Sequence, residues 1–215
     1  MRLILTVMPL LVIVVASWIV AQRLALAAST SVELLRADAA GLNEGTRREV
    51  ASFAALGYRE LAVYEARFRG GEFNIVVMAG PGATSWAEVT DRLWEVASTF
   101  GPRLLRTATR SMLPPGPVLV QGLPSATPEA IVAEHERALA VLGALGLRPD
   151  RLDDGELVSR FESETWATQA LLERSKWRTA VDLAWRMPLR RHHGRPALAD
   201  DSRAGARIDA WLAAG

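Results

Sequence analysis

The stretch "LILTVMPLLVIVVASWIVAQ", Leu3 to Gln22, carries no charge and runs directly into Arg23. Leu3 to Ala21 is 19 residues, which at about 1.5 Å per helical residue spans close to the ~30 Å hydrocarbon core of a bilayer. Twelve of those residues are Leu, Ile or Val, each favouring insertion by roughly 0.3–0.6 kcal/mol. The sum, about −5 kcal/mol, outweighs the opposing contributions of Thr6, Pro9 and Ser17. Trp18 stands where an indole suits the headgroup boundary, and Arg23 can extend its charge into water. A buried core helix would carry a polar stripe, which this segment lacks. The competing reading is an exported chain cleaved near Ala27, after the small-residue sequence Ala25-Leu26-Ala27. Against it, the apolar run exceeds the ~7–15 residues of a signal core, and Arg23 interrupts the approach to the cleavage site. The expectation is a single-pass anchor in the cell membrane, with lipid met by residues 3–21.

Beyond the anchor the chain has room for one domain. It has 215 residues in all, enough for a core that needs no metal or disulfide. It has no cysteine, which excludes disulfides and thiolate chemistry. With 25 basic and 24 acidic residues, the charge balance argues against a general nucleic-acid binder. The organisation read from the chain is a transmembrane helix over 1–22, a connector over 23–42, an α+β domain over 43–190, and a polar tail over 191–215.

Within the domain, "TRREVASFAALG" predicts a helix with Thr46 and Glu49 as a capping box and Gly57 closing it in the left-handed region. "YRELAVYEARFRGGEFNIVVMAG" predicts two strands around Gly70-Gly71. Adjacent β-branched Ile75, Val76 and Val77 predict a central strand covered on both faces. "WEVASTFGPRLLRTATRS" predicts a second hairpin about Gly101-Pro102, and "LPPGP" at 113–117 a loop. After a short strand "VLVQ" comes a helix with Thr127 as N-cap, Pro128 in its first turn and Gly146 at its end. A third helical pattern starts near Asp153-Asp154 and runs through Leu157, Phe161 and Leu171. A fourth covers Trp177, Val181, Ala184 and Trp185, and the polar, mobile tail has room for a short helix around Ile208 to Leu212.

The chemistry-bearing motifs are few. In "NIVVMAGPGATSWAEVTDRLWEVAS" a strand leads into Gly80-Pro81-Gly82-Ala83-Thr84-Ser85. If Ser85 and Glu88 cap a helix there, Trp86, Val89, Leu93, Val96 and Phe100 recur at helical spacing, and the turn offers backbone donors to a phosphate. Pro81 removes one donor, however, and no lysine comes after it to meet a terminal phosphate. The alternative is a strand–loop–strand connection, with "TSWAEVT" and "WEVASTF" as neighbouring strands. His135 shares a helix face with Ile131, Leu139 and Leu142 and should point into the core, bonded to a carbonyl or carboxylate. His192-His193 supply two metal ligands without a third. There is no HExxH, GxSxG or Walker lysine. No catalytic residue, metal site or cofactor is assigned; Gly80, Gly82, Ser85 and His135 are the candidates a ligand-binding enzyme would use. Trp177 to Arg191, with two indoles among arginines, is a candidate for binding anionic lipid.

The order of pieces is similar to an uncharacterised family of membrane-anchored bacterial proteins. The residues that carry the likeness are the N-terminal apolar segment, "LGY", "VASTFGPRLLRTATR", the proline loop, "VLVQGLPSATPE" and "EHERALAVLGALGLRPD", across roughly residues 45 to 190. That family has no established activity, so the resemblance implies a fold and an anchor and carries over no site residue. It favours strands over a helix for Trp86 to Phe100. Gly101-Pro102-Arg103 departs from the acidic residue and glycine expected at that hairpin. The fold expected is therefore α+β: an antiparallel meander of five or six strands, entered by one helix and packed with C-terminal helices. The function expected is a membrane-tethered, non-enzymatic interaction or scaffold module with an unnamed protein partner and no nucleic acid.

Overall fold

The computed structural model describes residues 33–68, 71–91, 93–109, 118–123, 126–174 and 196–214. The apolar run 3–21, the loop 113–117 and the segment 177–191 lie outside them. Among the described residues no helix is long and apolar enough to cross a membrane.

The fold is α+β: a seven-stranded sheet with four α-helices among the described residues. The strands are β1 Glu33–Arg36, β2 Arg59–Phe68, β3 Gly71–Ala79, β4 Trp86–Val89, β5 Trp94–Phe100, β6 Arg103–Ala108 and β7 Val118–Gly122. They lie side by side in chain order, antiparallel except that β7 runs parallel to β6. The helices are α1 Glu44–Ala55, α2 Pro128–Ala144, α3 Asp154–Arg174 and α4 Ala204–Ala213.

Local chemistry explains most of these boundaries. Asn43, not Thr46, caps α1: its side chain accepts from the Thr46 N–H at 2.8 Å, so the helix starts earlier than the Thr46–Glu49 box implies. Gly57 closes it at φ +87°, as only glycine does cheaply. Thr127 caps α2 by accepting from Ala130 N–H at 3.3 Å, and Gly146 lies just past its end at φ +80°. Asp153 and Glu156 cap α3 reciprocally, each side chain accepting from the other's N–H at 2.8 Å. Phe100 pairs with Arg103 across Gly101-Pro102. With φ +62° at Gly101 and proline fixed after it, this is the type II′ arrangement.

Both faces of the sheet are covered. On one, α1 and α2 pack Phe53 and Ile131 against Val63, Val76, Met78, Val89 and Val96. On the other, α3 packs Leu157 and Phe161 against Tyr64, Val77, Trp86 and Leu104. Val76 and Val77, consecutive in β3 and both fully buried, therefore face opposite layers, as expected of a central strand.

Two expected boundaries are corrected. The segment 23–42 is expected to be a connector, yet Glu33–Arg36 is a strand paired with Arg67 to Tyr64. Leu34 and Leu35, adjacent in a strand, point to opposite faces, and four residues are too few to reveal a pattern. The tail 191–215 is expected to be polar and mobile. Leu198, Ile208 and Trp211 are instead buried in a third core with Phe100, Leu105, Leu119 and Leu142. The Trp211 ring meets Phe100 edge to face at 5.5 Å, so this segment completes the domain. The strand count rises from five or six to seven through β1.

The two edges of the sheet differ. At β7, Arg207 from α4 donates to the Val120 carbonyl at 2.6 Å, and the Leu198 N–H donates to the Gln121 side chain at 3.0 Å. That edge is guarded. At β1, no strand lies beyond it among the described residues. Ala37 N–H donates to Val63 O at 3.0 Å in the β1–β2 register. Because ladder positions alternate, Glu33 and Leu35 bond β2, while Leu34 and Arg36 turn their N–H and C=O outward.

Candidate functional site

The glycine turn is the strongest of the sequence motifs, and two of its amides are already used. Gly80 N–H donates to Ser85 O at 2.8 Å and Ala83 N–H to Gly80 O at 3.1 Å, so both close the loop between β3 and β4. Gly82 and Ala83 have φ of +72° and +57°, a tight turn rather than a helix start. A Cβ on Gly80 would lie 2.2 Å from Ser85 Oγ, which is why glycine stands there. Ser85 is buried with its hydroxyl 3.5 Å from that of Tyr58; burial pushes the Tyr58 phenol up to about 12. The chain then enters β4, not a helix, and Glu88 is a strand residue. The helix N-terminus that a phosphate loop requires is not formed. Trp86–Val89 and Trp94–Phe100 are strands, as the strand–loop–strand alternative has it.

His135 lies where its helix face predicts, fully buried under β5 and β6. Its partners are hydroxyls rather than the carbonyl or carboxylate expected. Gln121 Nε2 donates to Thr107 Oγ1 at 2.7 Å and to Glu134 O at 3.1 Å, its Oε1 being taken by Leu198 N–H. Thr107 Oγ1 also lies 2.9 Å from His135 Nδ1, and Ser98 Oγ 2.8 Å from Nε2, so the neutral ring donates to one hydroxyl and accepts from the other. Burial drives the imidazole down to about 3, so it is neutral across the physiological range. Ser98, Thr107, Gln121 and His135 are all wholly enclosed. The network resembles a nucleophile and base in composition, but no reacting group could reach it; it ties α2, β5, β6, β7 and residue 198 together.

The grouping that sequence reasoning missed lies on the opposite face, beneath α3. Glu88 on β4 is directly across from Glu95 on β5. Arg106 on β6 reaches Glu95 at 2.7 Å and Glu88 at 3.9 Å, with its side chain only 8% exposed. Trp86 Nε1 donates to Glu88 at 3.2 Å. From α3, Arg160 pairs with Glu164 at 3.1 Å, and the Glu164 charge acts on both Glu95 and Arg106. Burial pushes the Glu95 carboxyl up to about 7; Arg106 opposes that rise, and Glu88 and Glu164 reinforce it. Burial draws the Arg106 guanidinium down, but the same carboxylates hold it above its ordinary value. Like charges opposed across a ladder are destabilising, so the arrangement costs stability that an apolar trio would not. The trace in the sequence is a single glutamate in each of two mainly apolar strands.

Beside the end of β1 lies an open groove of about 410 Å³ between β2 and α3, lined by Leu61 and Val158 among others. Arg59 grips Asp154 with two hydrogen bonds, at 2.9 and 2.6 Å. Glu162 accepts from Tyr64 OH at 2.5 Å and from Arg36 at 3.5 Å, and the Arg36 guanidinium lies 5.0 Å from the centre of the Tyr64 ring. Among the described residues no cluster of three His, Asp or Glu side chains could hold a metal ion. His192, His193 and Trp177–Arg191 lie outside them. The chain matches no family model, no curated protein sequence and no solved structure.

Proposed function

We propose that this protein is a single-pass, membrane-anchored bacterial interaction module, not an enzyme, that receives an extended juxtamembrane segment of another membrane protein along the outer edge of β1. The observation that carries this reading is the asymmetry of the sheet among the described residues: at β7 Arg207 donates to the Val120 carbonyl, while β1 turns the backbone N–H and C=O of Leu34 and Arg36 outward. Proteins ordinarily blunt such edges, and strand addition is a recurrent way to use one. The anchor reading adds the location. With the apolar run ending at Gln22 and β1 starting at Glu33, the intervening chain extends at most about 40 Å. The edge therefore stays within reach of segments that leave the same bilayer. The groove over Leu61 and Val158 adjoins the end of β1 at Arg36 and offers a pocket for one partner side chain.

Leu34→Pro tests this, because it removes an outward N–H without breaking a β1–β2 bond. Affinity purification of the full chain from detergent extracts should yield partners with wild type that are depleted at least tenfold with the variant. Hydrogen exchange of the isolated complex should then protect the Leu34 and Arg36 amides. Equal recovery with both chains, or unprotected amides in the complex, would rule strand addition out.

A further inference from the structure

Among the described residues, the charged layer beneath α3 holds more carboxylates than guanidiniums. Every ionisable or charged group facing Glu95 among the described residues can be named: Glu88 from β4, Arg106 from β6, and Glu164 with its partner Arg160 from α3. Three carboxylates meet two guanidiniums. Fully ionised, the described members of the layer carry one net negative charge between a sheet and a helix, where Glu88, Glu95 and Glu164 are each about one-fifth exposed. Low-dielectric surroundings make an uncompensated charge expensive. The direct opposition of Glu88 and Glu95 adds repulsion that Arg106, nearer Glu95, offsets unevenly.

We propose that this layer is a proton-operated latch for α3: one proton held on Glu95 seats the second half of the helix on the sheet, and its loss loosens that half. The geometry sets the direction. Burial under α3 is the main cost to an ionised Glu95, and Glu164, which the helix brings together with its partner Arg160, adds to it; lifting α3 readmits water to Glu95 and takes that carboxylate away. Ionisation therefore favours the lifted state, and protonation the seated one. The upward displacement of Glu95 to about 7 has the sign this requires and places the transition near neutral pH. Leu157 and Phe161, buried against Tyr64, Val77 and Trp86, hold the first half of α3 in either state.

The experiment is hydrogen exchange of the full chain in uncharged detergent micelles at pH 5.5 and pH 8, read as protection factors so that intrinsic exchange cancels. In wild type, amides of α3 beyond Phe161 should lose protection by about tenfold or more at pH 8 relative to those of α2. Glu95→Gln keeps the hydrogen-bonding shape without the charge and should hold the pH 5.5 protection at both values. If Glu95→Gln does not fold, Glu164→Gln, on the helix side, should raise α3 protection at pH 8 toward the pH 5.5 level. Carbon-13 carboxyl shifts locate the proton independently. Unchanged α3 protection in wild type, an equal pH response in the variants, or an ordinary carboxylate titration at Glu95 would each overturn the latch.

Discussion

Glu88 and Glu95 stand directly opposite one another on neighbouring antiparallel strands, and Arg106 on the next strand is the group that holds them there. A buried cation flanked by two carboxylates is hard to remove singly.

Arg106→Met should therefore lower unfolding free energy at pH 7 by about 3–5 kcal/mol, since it leaves both carboxylates without their counter-charge. Adding Glu88→Gln and Glu95→Gln to the same chain should recover much of that loss. Thermal melts followed by circular dichroism in detergent would measure both; additive losses would show that the three residues do not act as a unit.

Two buried groups pull stability in opposite directions with pH. Glu95, raised from the ordinary carboxylate value of 4.5 to about 7, contributes stability that is complete below 4.5 and lost as pH rises to 7. His135, lowered from 6.5 to about 3, contributes stability that is complete above 6.5 and lost as pH falls to 3. Each slope is at most about 1.4 kcal/mol per pH unit, so between about 4.5 and 6.5 they cancel. Wild-type stability should be nearly flat there. Glu95→Gln should make it climb with pH, and His135→Gln should make it fall, in urea titrations at three pH values.

Arg207→Ala removes the donor to the Val120 carbonyl, together with bonds to Pro196 O and Asp201. Loss of about 1–3 kcal/mol is expected. The uncovered β7 edge should also promote self-association, visible as added mass in light scattering. A destabilised variant that stays the same size would show that the edge is protected by something else.

Trp211 is buried against Phe100 in the third core. Trp211→Ala should cost about 3–5 kcal/mol, while Leu145→Ala, at an exposed position just after α2, should change stability by less than about 0.5 kcal/mol. Similar melts for the two would mean that the C-terminal segment does not belong to the cooperative unit.

Capped elements are legible in the sequence, and the rest is less so. Thr127, Pro128 and Gly146 bracket α2 because each residue type satisfies a backbone need found only at a helix end. Trp86, Val89, Leu93, Val96 and Phe100 fit helical spacing although they lie in strands and the turn between them. Both faces of β4 and β5 are buried, so the alternation that marks a strand is erased. The face of His135 is readable from Ile131, Leu139 and Leu142, whereas its hydroxyl partners Ser98 and Thr107 are 37 and 28 residues away and meet it only through sheet register. Glu88, Glu95 and Arg106 meet for the same reason, and no local spacing announces them.

Gln121 also bears on how the chain is made. Its amide joins Thr107 and the carbonyl of Glu134 to the backbone of residue 198, a position the ribosome reaches 77 residues after Gln121 itself. Until synthesis has passed Trp211, neither its ring beside Phe100 nor the Arg207 cover over the Val120 carbonyl is in place, so the β7 edge is bare on the nascent chain.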